Sequence, residues 1–271
     1  MRVIISPAKK MRVDTDTFPC RDLPVFLQKT GSLMEWIQGL SFSEQKKLWA
    51  CNEQIARENA KRFAGMDLER NLTPAILSFD GIQYTYMAPS VLETDAFAHM
   101  QRNLRILSGF YGVLKPMDGV VPYRLEMRAK VTVRDFRNLY EFWGDALYQE
   151  VIDSSRIVVN LASKEYSRCI ERYICPGDRF ISCVFGELEN EKVLQKGVYA
   201  KWPEEIWSVI WQRTRSKPLN NSKAMTDVAI TSMSPAPLIR SMSLYVQRSP
   251  ANNSSQPRTF PGPESQIMIG A

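Results

Sequence analysis

Three short stretches of this chain carry residue types that could do chemistry. In Val121-Pro122-Tyr123-Arg124-Leu125-Glu126-Met127, an arginine and a carboxylate stand two residues apart. In an extended segment that spacing puts both side chains on one face. An Arg and a carboxylate so placed could bind an anion and move a proton; they could equally form a structural ion pair. Ser6-Pro7-Ala8-Lys9 follows an apolar run, and so does Asn160-Leu161-Ala162-Ser163-Lys164-Glu165-Tyr166. Open α/β sheets bind ligands outside the carboxyl ends of their strands, so two polar strand ends, each with a lysine, suggest one shared basic site. Alternatively Ser6 and Ser163 cap helices and the lysines are solvated. If the site is catalytic, the candidates are Lys9, Arg124 and Glu126.

The third stretch is Leu107-Ser108-Gly109-Phe110-Tyr111-Gly112-Val113-Leu114-Lys115-Pro116. Two glycines three apart permit a tight hairpin and a close approach of backbone to a ligand. Phe97, Met100, Leu104 and Leu107 fall on one helical face just before it. Helix, glycine hairpin and second helix would grip a nucleic-acid backbone without reading bases, with Arg102, Arg105 and Lys115 adding the salt-dependent part. An ordinary helix–helix turn fits the same residues.

The elements that must position these groups can be read from apolar patterning. Arg2 to Ser6 predicts a buried strand ending at Pro7, and Leu23 to Leu40 a helix after Pro24. Ser41-Phe42-Ser43-Glu44 fits a capping box, followed by Leu48, Cys51, Ile55 and Phe63 at roughly helical spacing. Ala75 to Phe79 predicts a second strand, stopped by Asp80-Gly81. Leu139, Phe142, Trp143, Leu147 and Val151 predict a buried helical face. Ile157 to Leu161 is apolar almost throughout, as in a strand covered on both sides. Phe180 to Phe185 and Lys192 to Leu194 complete the strands, and the mixture predicts an α/β (mixed α+β) fold.

Composition narrows the function. The chain has 271 residues, 44% of them hydrophobic, which suffices for a sizeable core. No apolar run is long enough to span a membrane, and the start, Met1 to Pro7, does not resemble a signal peptide. The 5 Cys are odd in number with no C-x-x-C, so we expect reduced, mostly buried thiols in a cytoplasmic protein. His99 is the single histidine and lies off the apolar stripe, which predicts a solvated position. With it as the one His, neither a tight iron or other metal site nor a Ser/His/Asp set is expected, and no cofactor is implied.

Taken together, the motifs resemble the YaaA family of peroxide-stress proteins. The matching pieces are Ile5 to Lys9, Ala75 through Gly81 and Tyr84, Leu107 to Pro116, Pro122 to Met127, Leu139 to Gly144, and Asn160 to Ser163 with Glu165-Tyr166; they follow in family order across residues 1–201. The resemblance implies a cytosolic protein of oxidative-stress defence, associated with limiting iron-mediated damage. It also implies DNA binding through a helix-hairpin-helix and a basic cleft, without base specificity. Carried over residue by residue, the DNA-binding element comprises Arg105, Ser108, Gly109, Tyr111, Gly112 and Lys115. The cleft comprises Ser6, Lys9, Tyr123, Arg124, Asn160, Ser163, Lys164 and Lys201. A rival expectation is an enzyme acting on a nucleotide, nucleic acid or other anionic substrate at Lys9, Arg124 and Glu126.

The resemblance stops at Lys201. Family members continue roughly Met-Ala-Arg-Gly-x-Met-Val-Arg, whereas this chain gives Trp202-Pro203-Glu204-Glu205-Ile206-Trp207. Codons for Lys201 to Trp211 can be chosen so that reading from the third base gives Met-Ala-Arg-Gly-Asp-Met-Val-Arg-Tyr-Met. The stretch from Ser232 to Arg248 can hide, in the same frame, a second family-like segment. We therefore expect a YaaA-like domain over 1–201, C-terminally incomplete, and an out-of-frame tail over 202–271 that is largely disordered. The formal net charge of the whole chain is +6, and by count the domain and the tail each contribute +3. The case for nucleic acid thus rests on where Arg and Lys cluster rather than on total charge.

Overall fold

The computed structural model describes residues 1–89, 94–132, 136–189, 192–194 and 243–248. Apolar segments rich in Val, Ile and Leu form its central sheet. β1 (Arg2–Ile5) is the middle strand, and only its first residue is incompletely buried. The short β2 (Lys10–Met11) follows. Three helices come next: α1 (Leu27–Gln38), α2 (Phe42–Trp49) and α3 (Glu53–Ala64). The predicted capping box forms, with the Ser41 hydroxyl accepting from the Glu44 amide while the Glu44 carboxylate accepts from the Ser41 amide. Ala50 adopts a left-handed conformation and Asn52 caps α3. The apolar spacing through Leu48, Cys51 and Phe63 is therefore split into two helices rather than one.

β3 (Thr73–Pro74), α4 (Ala75–Ser78) and β4 (Phe79–Asp80) come next. The strand expected at Ala75 to Phe79 is corrected: Ala75–Ser78 is one fully buried helical turn. A continuous apolar run of that length suits either element, and periodicity cannot choose between them. α5 (Ile82–Met87) and α6 (Thr94–Asn103) lead directly into β5 (Leu104–Ser108). The helical face expected to run from Phe97 to Leu107 therefore changes to strand at Leu104, while all four of its apolar residues stay buried. His99, expected in solvent, is also buried.

β6 (Gly112–Leu114), β7 (Gly119–Val120), α7 (Leu139–Trp143) and α8 (Ala146–Val151) follow. β8 (Ile157–Asn160), α9 (Lys164–Glu171), β9 (Arg179–Glu189) and β10 (Lys192–Leu194) complete this part. Strand β11 (Ser243–Arg248) pairs antiparallel with β9, from Ser243 opposite Gly186 to Arg248 opposite Ile181. The rest of 202–271, where disorder was expected, lies outside the described residues.

The seven-stranded sheet runs β10-β9-β8-β1-β5-β6, with β11 also on β9. β9, β8, β1 and β5 are parallel neighbours. This is the mixed α/β architecture that the pattern predicted. β1 and β8 point the same way, with Ile4 opposite Asn160. Their carboxyl ends therefore deliver Ser6 and Ser163 to the same edge, which is where the site forms.

Candidate functional site

The loops after β1 and β8 meet directly. The Ser6 hydroxyl lies 3.2 Å from the Ser163 hydroxyl and accepts from the Ser163 amide at 2.9 Å. Ser163 occupies the N-cap position of α9, yet its side chain makes no capping bond. The hydroxyl is turned to Ser6 instead, which leaves the first turn of α9 without a side-chain cap. Tyr84 fixes the other side of the Ser6 loop by donating its phenol to the Ser6 carbonyl at 2.8 Å.

The segment 121–126 crosses in front of these ends. Arg124 Nη2 is 3.1 Å and Lys9 Nζ 3.2 Å from the same Glu126 oxygen. Two cations from separate loops thus converge on one carboxylate. With Ser6, Ser163, Tyr123, Glu165 and Tyr166 they line an open cleft of about 200 Å³. Glu165 is held by Arg128, whose Nε lies 3.2 Å away and whose amide donates to it at 3.1 Å. The Tyr166 phenol is pushed well above its ordinary pKa, chiefly by burial and further by Tyr123 and Glu165 nearby. It therefore stays protonated and can donate a hydrogen bond.

What holds the Arg124–Glu126 segment in place lies behind it. Tyr123 shares a 2.6 Å hydrogen bond with the buried Ser108 hydroxyl, which also accepts from the amides of Phe110 and Tyr111. A side chain on Gly109 would meet the Leu125 carbonyl oxygen at 2.5 Å. From the other side, Asn59 of α3 donates to the Arg124 carbonyl at 3.1 Å.

These contacts correct the predicted DNA-binding hairpin. Ser108 to Gly112 is not the centre of a helix-hairpin-helix but the turn of an antiparallel β-hairpin, with Ser108 opposite Gly112. Ser108, Gly109, Tyr111 and Gly112 are all buried, so their amides do not face solvent. The glycines do permit a close approach, but of the chain to itself. Gly109 backs onto Leu125–Met127, and Gly112, with φ +76°, faces Trp143 and Leu147. Arg105 is buried beside Glu150, its Nε 3.8 Å from the carboxylate, and burial brings its pKa down to about 10. Lys115 is half-exposed, with Asp22 at 4.0 Å.

Of the predicted cleft set, the structure brings together Ser6, Lys9, Tyr123, Arg124 and Ser163. Asn160 is buried below them, donating to the Ser182 hydroxyl and accepting from the Ala162 amide, a structural role. Lys164 reaches along α9 to Glu171 rather than into the cleft. Lys201 lies outside the described residues. Glu165 and Tyr166, the end of the second polar stretch, also line the cleft, though the expected cleft set did not include them. Their place in the first turn after Ser163 was the available signal, since that turn must face whatever Ser163 faces.

The match with known proteins extends over the same region. The profile of the family described as "Peroxide stress protein YaaA" fits residues 1–202. The chain belongs to the YaaA family. Its similar relatives include a "UPF0246 protein" from Agathobacter rectalis, 55% identical over 201 residues covering 74% of this chain and 81% of the relative. A "UPF0246 protein" from Lachnoclostridium phytofermentans is 53% identical over 74% of this chain and 79% of its own. One from Desulfitobacterium hafniense is 51% identical, with 74% and 80% covered. The YaaA-matching region contains every residue of the cleft. Among the described residues, no helix is long and apolar enough to cross a membrane, and no three His, Cys, Asp or Glu side chains gather to hold a metal ion.

Proposed function

We propose that this YaaA-family chain acts in the peroxide-stress response by binding DNA through its phosphate backbone at this cleft. The observation that carries the reading is the convergence of Lys9 and Arg124 on the single Glu126 carboxylate, beside the uncapped start of α9. A phosphate can compete for both cations and for first-turn amides. The cleft's roughly 200 Å³ suits a phosphate and its sugar better than a large organic ligand. Behind the cleft, α2 and α3 carry Lys46, Lys47, Arg57, Lys61 and Arg62, with Lys46 and Arg57 paired to Glu53 and Arg62 to Glu58, and Asn59 of α3 holds the Arg124 carbonyl. Binding at the cleft would put the protein on the molecule that iron and peroxide damage.

The test is fluorescence anisotropy with a labelled duplex, titrated across salt concentrations around the physiological range. Removing one phosphate-binding side chain should lower the slope of log affinity against log salt by about 0.9. Lys9→Ala and Arg124→Gln are each expected to do so, with little dependence on base sequence. Binding that ignores salt, or that neither substitution weakens, refutes the proposal.

A second reading uses the same cleft for a reaction on a small anionic substrate, which makes it a nucleotide site rather than a DNA track. Its favouring observation is that Glu126, a carboxylate that could accept a proton, and the Tyr166 phenol, a hydrogen-bond donor, line the cleft together with Arg124, an anion holder. Calorimetric binding of a mononucleotide, abolished by Arg124→Gln in a protein that does not bind duplex, would select this reading.

A further inference from the structure

A second depression follows the cleft along the same two chain segments. Ser6–Lys9 and Tyr123–Glu126 line the cleft, while Met11–Val13 and Val121–Pro122 line the neighbour. Only a few residues of extended chain separate the two, about 3.3 Å for each. The second depression is larger, about 500 Å³, with an apolar floor that includes Met11, Val121 and Pro122. Arg12, Arg62 and Arg70 stand around it, from three different parts of the chain. Helix α3 connects the two: Asn59 holds the Arg124 carbonyl behind the cleft, and Arg62, three residues on, lines the second hollow.

The fixed counter-charges are few. Arg62 pairs with Glu58 one turn back, and Arg70 Nε lies 3.6 Å from Asp67. Both pairs are on the surface, where such contacts contribute little and a phosphate can displace the carboxylate. Arg12 donates through Nε to the Leu77 carbonyl at 2.9 Å, which orients its guanidinium, and the Asp14 carboxylate lies near enough to feel its charge.

Resting on the DNA-binding reading above, we propose that the groove of Arg12, Arg62 and Arg70 is a second backbone subsite, holding the next phosphates of the same duplex strand. DNA presents a phosphate about every 3.4 Å of axis along each strand, so neighbouring hollows on one surface meet successive phosphates. The arginine fork suits phosphate oxygens. The track then runs from the Lys9–Arg124 cleft over the Val121–Glu126 segment to the α3 end of the molecule.

The test uses the full chain and one short duplex of about one and a half helical turns, with the anisotropy titration repeated for Arg62→Gln/Arg70→Gln. Both side chains are in surface pairs, so the double variant should melt with the parent protein. The salt slope is expected to fall by about 1.8, about 0.9 for each arginine, on top of and independent of the fall caused by Lys9→Ala. An unchanged slope in the double variant, while Lys9→Ala and Arg124→Gln still lower theirs, overturns the second subsite and leaves the cleft reading standing. A fall in the double variant alone, with the cleft substitutions silent, overturns the continuous track together with the cleft reading.

Discussion

Gly109→Ala is the substitution that best probes how the cleft is held. The added carbon would sit 2.5 Å from the Leu125 carbonyl oxygen and 3.1 Å from both the Glu126 carbonyl carbon and the Met127 amide nitrogen. All three are backbone atoms, so no side-chain rotation relieves the overlap. Either the β5–β6 hairpin or the Arg124–Glu126 segment must move. Overpacking in a fixed site of this kind costs about 1–3 kcal/mol. For a domain of this size that lowers the melting temperature by about 2–4 °C per kcal/mol. The matched control is Gly31→Ala. Gly31 lies within α1, with nothing within 4 Å of an added carbon, so the same chemical change should stabilise by about 0.5–1 kcal/mol. Thermal and urea melts of the two variants should therefore move in opposite directions from the parent. Gly109→Ala should also weaken anion binding, because the displaced segment carries Arg124 and Glu126. A Gly109→Ala protein that melts within the scatter of the parent would refute the close packing of the hairpin on Leu125–Met127.

Two more outcomes follow from the same structure. Burial raises the Asp118 carboxyl to about 7, against the pull of the Lys115 amide and side chain. Its folded value lies above its unfolded one, so folding takes up a proton, and its contribution to stability falls as pH rises from about 4 to 7. Asp118→Asn should remove that part of the pH dependence, visible as a stability difference that shifts in the variant's favour across this window; a constant difference refutes it. Asn59→Ala leaves the Arg124 carbonyl without its donor and should cost about 1–3 kcal/mol in urea unfolding, with weaker duplex binding; a variant that matches the parent in both would dismiss α3 as a support of the cleft.

Much of the site is legible in the sequence. The two-residue spacing of Arg124 and Glu126 puts them on one face, and they are in contact. The strand ends at Ser6 and Ser163 share a site because parallel strands deliver their carboxyl ends to one edge, and β1 and β8 are parallel neighbours. The capping box at Ser41 and Glu44 forms as expected, because all its partners are within four residues. Capping box and ion pair rest on local geometry, where spacing along the chain fixes spacing in space.

The departures share one cause as well. Leu104 to Ser108 continues the apolar stripe of α6, yet it forms a strand because β1 and β6 offer it hydrogen-bonding edges on both sides. Ala75 to Ser78 takes a helical turn although its apolar run reads equally as strand. The glycines at 109 and 112 announce a close backbone approach, but not what approaches. Sequence by itself determined the family, the mixed α/β class, and the pairing of Arg124 with Glu126. Only tertiary structure decided that the glycine hairpin faces the protein's own Leu125–Met127 backbone, that Arg105 is buried against Glu150, and that Lys164 turns to Glu171. The physical reason is that burial and pairing are set largely by segments distant in the chain, which no local pattern encodes.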